Sequence, residues 1–72
     1  MTIYIVTEVQ SNGATASVIT DTYTDRNDAE NKWHTILAFA AKSNVKIHSA
    51  TMMTDDGYFI KSEHYEHESE AE

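Results

Sequence analysis

The chain has 72 residues, no cysteine, no proline and a formal charge of −7, which bounds it to one small domain without disulfide or thiolate chemistry. A domain of this size buries only about 60% of its unfolded surface, so its stability rests on close packing or on self-association. The charge argues against direct binding of nucleic acid, because phosphate contacts need clustered Lys and Arg, and it favours a partner with a basic surface.

From Ile3 to Val9 apolar residues alternate, with Ile3, Ile5, Thr7 and Val9 on one side and Tyr4 and Val6 on the other, which predicts a strand apolar on both faces. Asn12-Gly13 is a hairpin turn signal, since both residues tolerate positive φ, and a second strand is expected from about Thr15 to Tyr23, rich in Thr, Val and Ile. The period then changes. Asp25 is a good N-cap, Asp28 and Glu30 suit the positive end of a helix, and Ala29, Trp33, Ile36, Leu37 and Ala40 recur at helical spacing. The helix is expected to end near Lys42, whose charge suits the negative end. Phe39 lies at roughly a right angle to the Trp33–Ala40 stripe, at about 100° per residue.

Val45 to Thr54 reads as a third strand and Tyr58 to about Tyr65 as a fourth, joined at Asp56-Gly57. A two-residue turn would set Met53 opposite Ile60 and Met52 opposite Lys61. Met52 and Phe59 would then share one face, and Met53, Ile60 and Ile47 the other. The order is β-β-α-β-β, an α+β domain over residues 1–65 with an acidic end, 66–72. The simplest architecture is a four-stranded, mostly antiparallel sheet with one helix across a face. That helix would bury Trp33, Ile36 and Leu37 and leave Tyr4, Val6 and a methionine on the open face. Such a patch marks an interface, and a homodimer or partner is expected there or along the Phe39 edge.

Signals for chemistry are sparse. The only glycines, Gly13 and Gly57, are turn residues, so no phosphate-cradling loop exists, and neither G-x-S-x-G nor H-E-x-x-H occurs. His64 and His67 are three apart and would point oppositely on a strand, which argues against a joint metal site. His34 lies beside Glu30 on the helix flank and His48 on the third strand. Either could reach a carboxylate, but nothing pairs them, and a half-exposed histidine bonded to backbone or water is the simpler expectation. Asp55-Asp56-Gly57 reads as a turn, because the later ligands of a calcium loop would fall in a strand. No cofactor, metal or catalytic residue is assigned, and the expected function is non-enzymatic.

The acids form two blocks: Glu63, Glu66, Glu68, Glu70 and Glu72 at the end, and Asp21, Asp25, Asp28 and Glu30 around the helix start. Aligned carboxylates can imitate nucleic-acid phosphates in a basic groove; acid runs also simply keep small proteins soluble. The expected partner contacts are Glu63, Glu66, Glu68, Asp25 and Asp28 for charge, with Tyr4, Phe39 and Tyr58 as apolar anchors. No stretch approaches the roughly 18 apolar residues of a membrane span. The start, "MTIYIVTEVQ", lacks the positive region of a secretory signal.

Four segments, "IYIVTEVQ", "AENKWHTILAFAAKS", "IHSATMMTDDGYFIKSE" and the glutamate-rich end, carry a resemblance over nearly the whole chain. It resembles a group of small proteins encoded by phages and prophages of gut Firmicutes. The resemblance implies a protein acting in the host cytoplasm by binding. The leading expectation is an inhibitor of a bacterial defence system, such as a CRISPR nuclease. The alternatives are a virion structural or assembly component and a sponge for a nucleotide signal, for which Arg26 and Lys32 would be the cations.

Overall fold

A computed structural model of the chain describes residues 1–67. It has β1 (Tyr4–Ser11), β2 (Ala16–Tyr23), α1 (Arg26–Ala40), β3 (Ile47–Thr54) and β4 (Phe59–Glu66). The strands form one antiparallel sheet in the order β2-β1-β3-β4, so the expected ββαββ architecture is present. The fourth strand runs to Glu66, a residue that the sequence assigns to the acidic end. Glu68, Glu70 and Glu72 lie outside the described residues. Among those described, no helix is long and apolar enough to cross a membrane.

Both turns are built around their glycine. Gly13 has φ +93° and Gly57 φ +88°, and no other described residue has positive φ. Asn12 therefore contributes its side chain and not its backbone freedom: Oδ1 accepts from the amides of Ala14 at 2.9 Å and Thr15 at 2.8 Å, as an Asx turn does. The second loop is longer than the expected two residues. Gly57 N–H donates to Thr54 O at 3.0 Å and Thr54 N–H to Tyr58 O at 2.9 Å, so three residues, Asp55, Asp56 and Gly57, close the hairpin in a turn that ends in a left-handed glycine.

That extra residue changes the pairing. Met53 faces Phe59 while Met52 faces Lys61, with a bulge between them at Ile60. The expected sharing of faces is thus overturned for Phe59 and Ile60, while Met53 and Ile47 share a face as expected. Phe59 lies with Met53, and Ile60 packs against the core on the side of Met52. The bulge absorbs the longer loop and restores the expected Met52–Lys61 pair.

Asp25 caps α1, its Oδ1 accepting from Asn27 N–H at 2.8 Å. The helix ends two residues before Lys42, and its last turn contains no basic residue. Its C-terminal carbonyls are met partly by local bonds from Ala41 to Leu37 at 3.0 Å and from Lys42 to Phe39 at 3.1 Å. The carbonyl of Ala40 also accepts from His67 Nε2 at 2.8 Å, a helix cap supplied from just past β4.

The core lies between α1 and the middle of the sheet, where Val6, Ala29, Trp33, Ile36, Ala50 and Met52 are buried and Tyr4, Tyr23, Leu37 and Ile60 pack around them. The helix lies across β3 and β1 and only brushes the two outer strands. Val6 and Tyr4 therefore belong to the covered face, which overturns their expected place on the open face; the methionine expected there is present as Met53. Alternation along β1 allowed either side. Ala50 is the deciding feature: its missing bulk admits Trp33, whose indole N–H donates to Ala50 O at 3.1 Å. A buried indole needs such an acceptor.

Candidate functional site

The two faces of the sheet differ in chemistry. Cross-strand register arranges the open face in four rows: Thr22-Ile5-Met53-Phe59, Thr20-Thr7-Thr51-Ser62, Val18-Val9-Ser49-His64 and Ala16-Ser11-Ile47-Glu66. The only carboxylate in these rows is Glu66, at a corner, and no lysine or arginine occurs in them. One row is hydroxyl from edge to edge, and Thr51 and Ser62 lie 3.3 Å apart through their oxygens. Another row sets Ile5, Met53 and Phe59 side by side, with Phe59 57% exposed.

The helix side holds the ion pairs. Lys61 bonds to Glu30 and lies 4.2 Å from the centre of the Trp33 ring, tying β4 to α1 through one ammonium. Glu30 also receives Arg26 at 3.3 Å and has His34 at 3.6 Å. The hydrogen bond from Lys61 holds the Glu30 carboxyl below its ordinary value; partial desolvation opposes this, and the Lys61 charge and Arg26 reinforce it. Asp21 faces Lys32 at 3.5 Å. In the β3–β4 loop, the Thr54 hydroxyl and then the Tyr58 amide hold Asp56 below the usual carboxylate range.

His48 is the main departure from expectation on this side. It is buried, and its Nε2 lies 2.6 Å from Glu8 Oε2, an oxygen that also accepts from Gln10 Nε2 at 3.0 Å. Its Nδ1 is buried with no hydrogen-bond partner. The half-exposed histidine of the sequence reading is thus replaced by a buried imidazole–carboxylate pair. Forty residues separate the two groups. Their meeting depends on β1 and β3 being neighbours, where Gln10 faces His48 and Glu8 faces Ala50. Period-2 parity put both on one side; only the register put them at adjacent positions.

The residues expected to contact a partner are divided between the two ends of the sheet. Tyr4 is half-buried against the core, with the Arg26 guanidinium 6.0 Å from its ring centre. Near it are Asp25 and Asp28 at the helix start and Tyr58, 68% exposed, beside the β3–β4 loop. Phe39, 69% exposed, is at the other end of α1. Glu66 shares that far end, opposite Ile47, while Glu63 sits midway along β4 opposite Ala50. Asp25 is also engaged as the helix cap. Phe59, Met53 and Val18, which register alone exposes together, were not among the expected contacts.

Among the described residues no group of three or more His, Asp or Glu side chains is arranged to hold a metal ion. No family model matches the chain, and no curated protein or solved structure matches it either.

Proposed function

We propose that this chain is a non-catalytic binding module that docks a partner protein on its uncovered sheet face. The observation that carries this reading is the separation of charge. A chain of net charge −7 keeps one carboxylate in the four rows of that face. Unpaired strand faces of this kind are easily desolvated, because few ionic groups must be stripped of water. With eight-residue strands the flat footprint is about 26 by 19 Å, or roughly 500 Å². This is below the roughly 800 Å² per partner of a standard interface, so the exposed aromatic at its margin, Phe59, carries much of the affinity. Asp28, Glu63 and Glu66 lie outside the apolar rows or at their corner and set the rate of approach to a basic surface.

The specific form of this reading is a phage-derived inhibitor of a bacterial defence system, which rests on the resemblance and on the acidic surface. The nucleotide-sponge alternative draws no support from the described residues, since Arg26 and Lys32 each already face a carboxylate. Affinity capture from host lysate tests the reading when wild type is compared with two variants. Phe59→Ser with Met53→Ser should lose the partner at every salt concentration. Asp28→Asn with Glu63→Gln and Glu66→Gln, or removal of residues 68–72, should weaken capture mainly at low salt. A co-purifying nuclease supports the inhibitor, and capsid or tail proteins support assembly. Full retention of the partner by the double serine variant sinks the proposed face.

A further inference from the structure

The sheet has two outer edges, and only one of them is defended. β4 carries Lys61, Glu63 and Glu66, and a bulge interrupts it at Ile60; charges and bulges of this kind deter another strand from pairing. β2 has no bulge and only one charged residue. Its eight residues, ASVITDTY, contain no lysine, proline or glycine, and they pair with β1 in one unbroken register. Val18 is 59% and Ile19 49% exposed, on opposite sides of the strand. Its one charge, Asp21, faces Lys32 at 3.5 Å. The helix lies over β1 and β3, so the helix-side flank of β2 around Ile19 is left free.

We infer that the β2 edge pairs antiparallel with β2 of a second copy, joining two sheets into one of eight strands. An antiparallel pair of identical strands has its two-fold axis normal to the sheet, which keeps both helices on the same side and makes the contact close on itself. Paired residues must then share a face, and the register with Ile19 opposite Ile19 of the second copy sets Val18 beside Thr20 and Ser17 beside Asp21. Moving the axis to Thr20 would put Ile19 against Asp21. In the favoured register the two Asp21 carboxylates lie about 13 Å apart at roughly 3.3 Å per residue, beyond the screening length of about 8 Å in physiological salt. The one charge of the edge, Asp21, already faces Lys32, so the edge offers little to attract a basic partner and does not repel its own copy. The alternative pairing, β2 against β4 of another copy, brings Lys61, Glu63 and Glu66 to the seam and generates open chains of molecules. The inferred pairing is independent of the partner-binding reading, although it would lay two open faces side by side.

Sedimentation velocity on the full chain, from about 5 µM to about 500 µM, reads the equilibrium directly, since self-association is concentration-dependent. Wild type should pass from monomer to a discrete dimer. Ile19→Lys should weaken dimerisation roughly tenfold or more, because like charges meet on the axis, and so should Ile19→Glu. An equimolar mixture of the two should dimerise again, whereas Phe59→Lys should dimerise like wild type. A monomer at every concentration overturns the inference, as does a ladder of larger species, a dimer indifferent to Ile19→Lys, or one lost in Phe59→Lys and kept in Ile19→Lys. Circular dichroism verifies that each variant is folded. Should the Ile19 variants unfold, hydrogen exchange of wild type decides: protection of β2 amides that rises with concentration supports the pairing, and equal exchange at both ends of the range overturns it.

Discussion

The two faces of the sheet are made from the same four strands and differ in almost every physical respect. The helix side is crossed by an indole hydrogen bond from Trp33, a lysine bridging Glu30 and the Trp33 ring, and a buried His48–Glu8 pair. The open side is a flat array of threonine, serine and exposed apolar groups with one carboxylate at a corner. The contrast shows a division of labour in a small chain: the ion pairs, the indole hydrogen bond and the His48–Glu8 pair all lie on the helix side, which leaves the other face with a single carboxylate at its corner.

The sharpest way to break the contrast is to remove its pivot. Trp33→Ala should cost about 3–5 kcal/mol, enough to unfold much of a domain this small, as read by urea titration. Phe59→Ala on the open face should change the midpoint little. Neighbouring methionines give the same comparison within two residues. Met52 is fully buried and Met53 faces the open side, so Met52→Ala should cost about 2–5 kcal/mol and Met53→Ala under about 1 kcal/mol, as for surface sites. A stability loss from Met53→Ala equal to that from Met52→Ala would show that the open face is covered in solution.

His48→Ala should cost about 1–3 kcal/mol, because the half-buried Glu8 carboxylate would lose its imidazole partner and keep only Gln10. The double change with Glu8→Ala should cost less than the sum of the single changes, which a thermodynamic cycle would measure. The smallest effect concerns acid. Glu30 titrates below its ordinary 4.5 because of Lys61, so its contribution is complete above that value and is lost as pH falls through the lowered one. Glu30→Gln should flatten the acid limb of the stability curve by under about 1 kcal/mol, since the pair is partly exposed and screened. An acid limb identical to wild type would show that this ion pair adds nothing.

Much of the architecture was legible in the residues. Gly13 and Gly57 marked the turns, Asp25 the helix start, and Trp33, Ile36 and Ala40 the buried stripe. Three things were not. The length of the second loop was hidden because Asp56-Gly57 serves a two-residue or a three-residue turn equally well, and the difference moved Phe59 to the open face. The end of the helix fell close to Lys42 as expected, but the bond from His67 to Ala40 O was hidden because the two are near only in space. The His48–Glu8 pair was invisible because it joins strands whose adjacency follows from sheet order. The candidate site suffered most: Tyr4 moved to the core side and Phe59 moved to the open face beside Met53.

Local patterning alone settled the number and kind of elements, since turn backbone geometry, helix capping and hydrophobic period are properties of neighbours along the chain. Tertiary structure alone decided which side of the sheet received the helix, because β1 and β3 carry apolar groups on both sides and alternation is blind between two such faces. The choice fell to the small Ala50, which leaves room for Trp33 and an acceptor for its indole. Everything proposed about the open face and its undefended edge follows from that one packing decision.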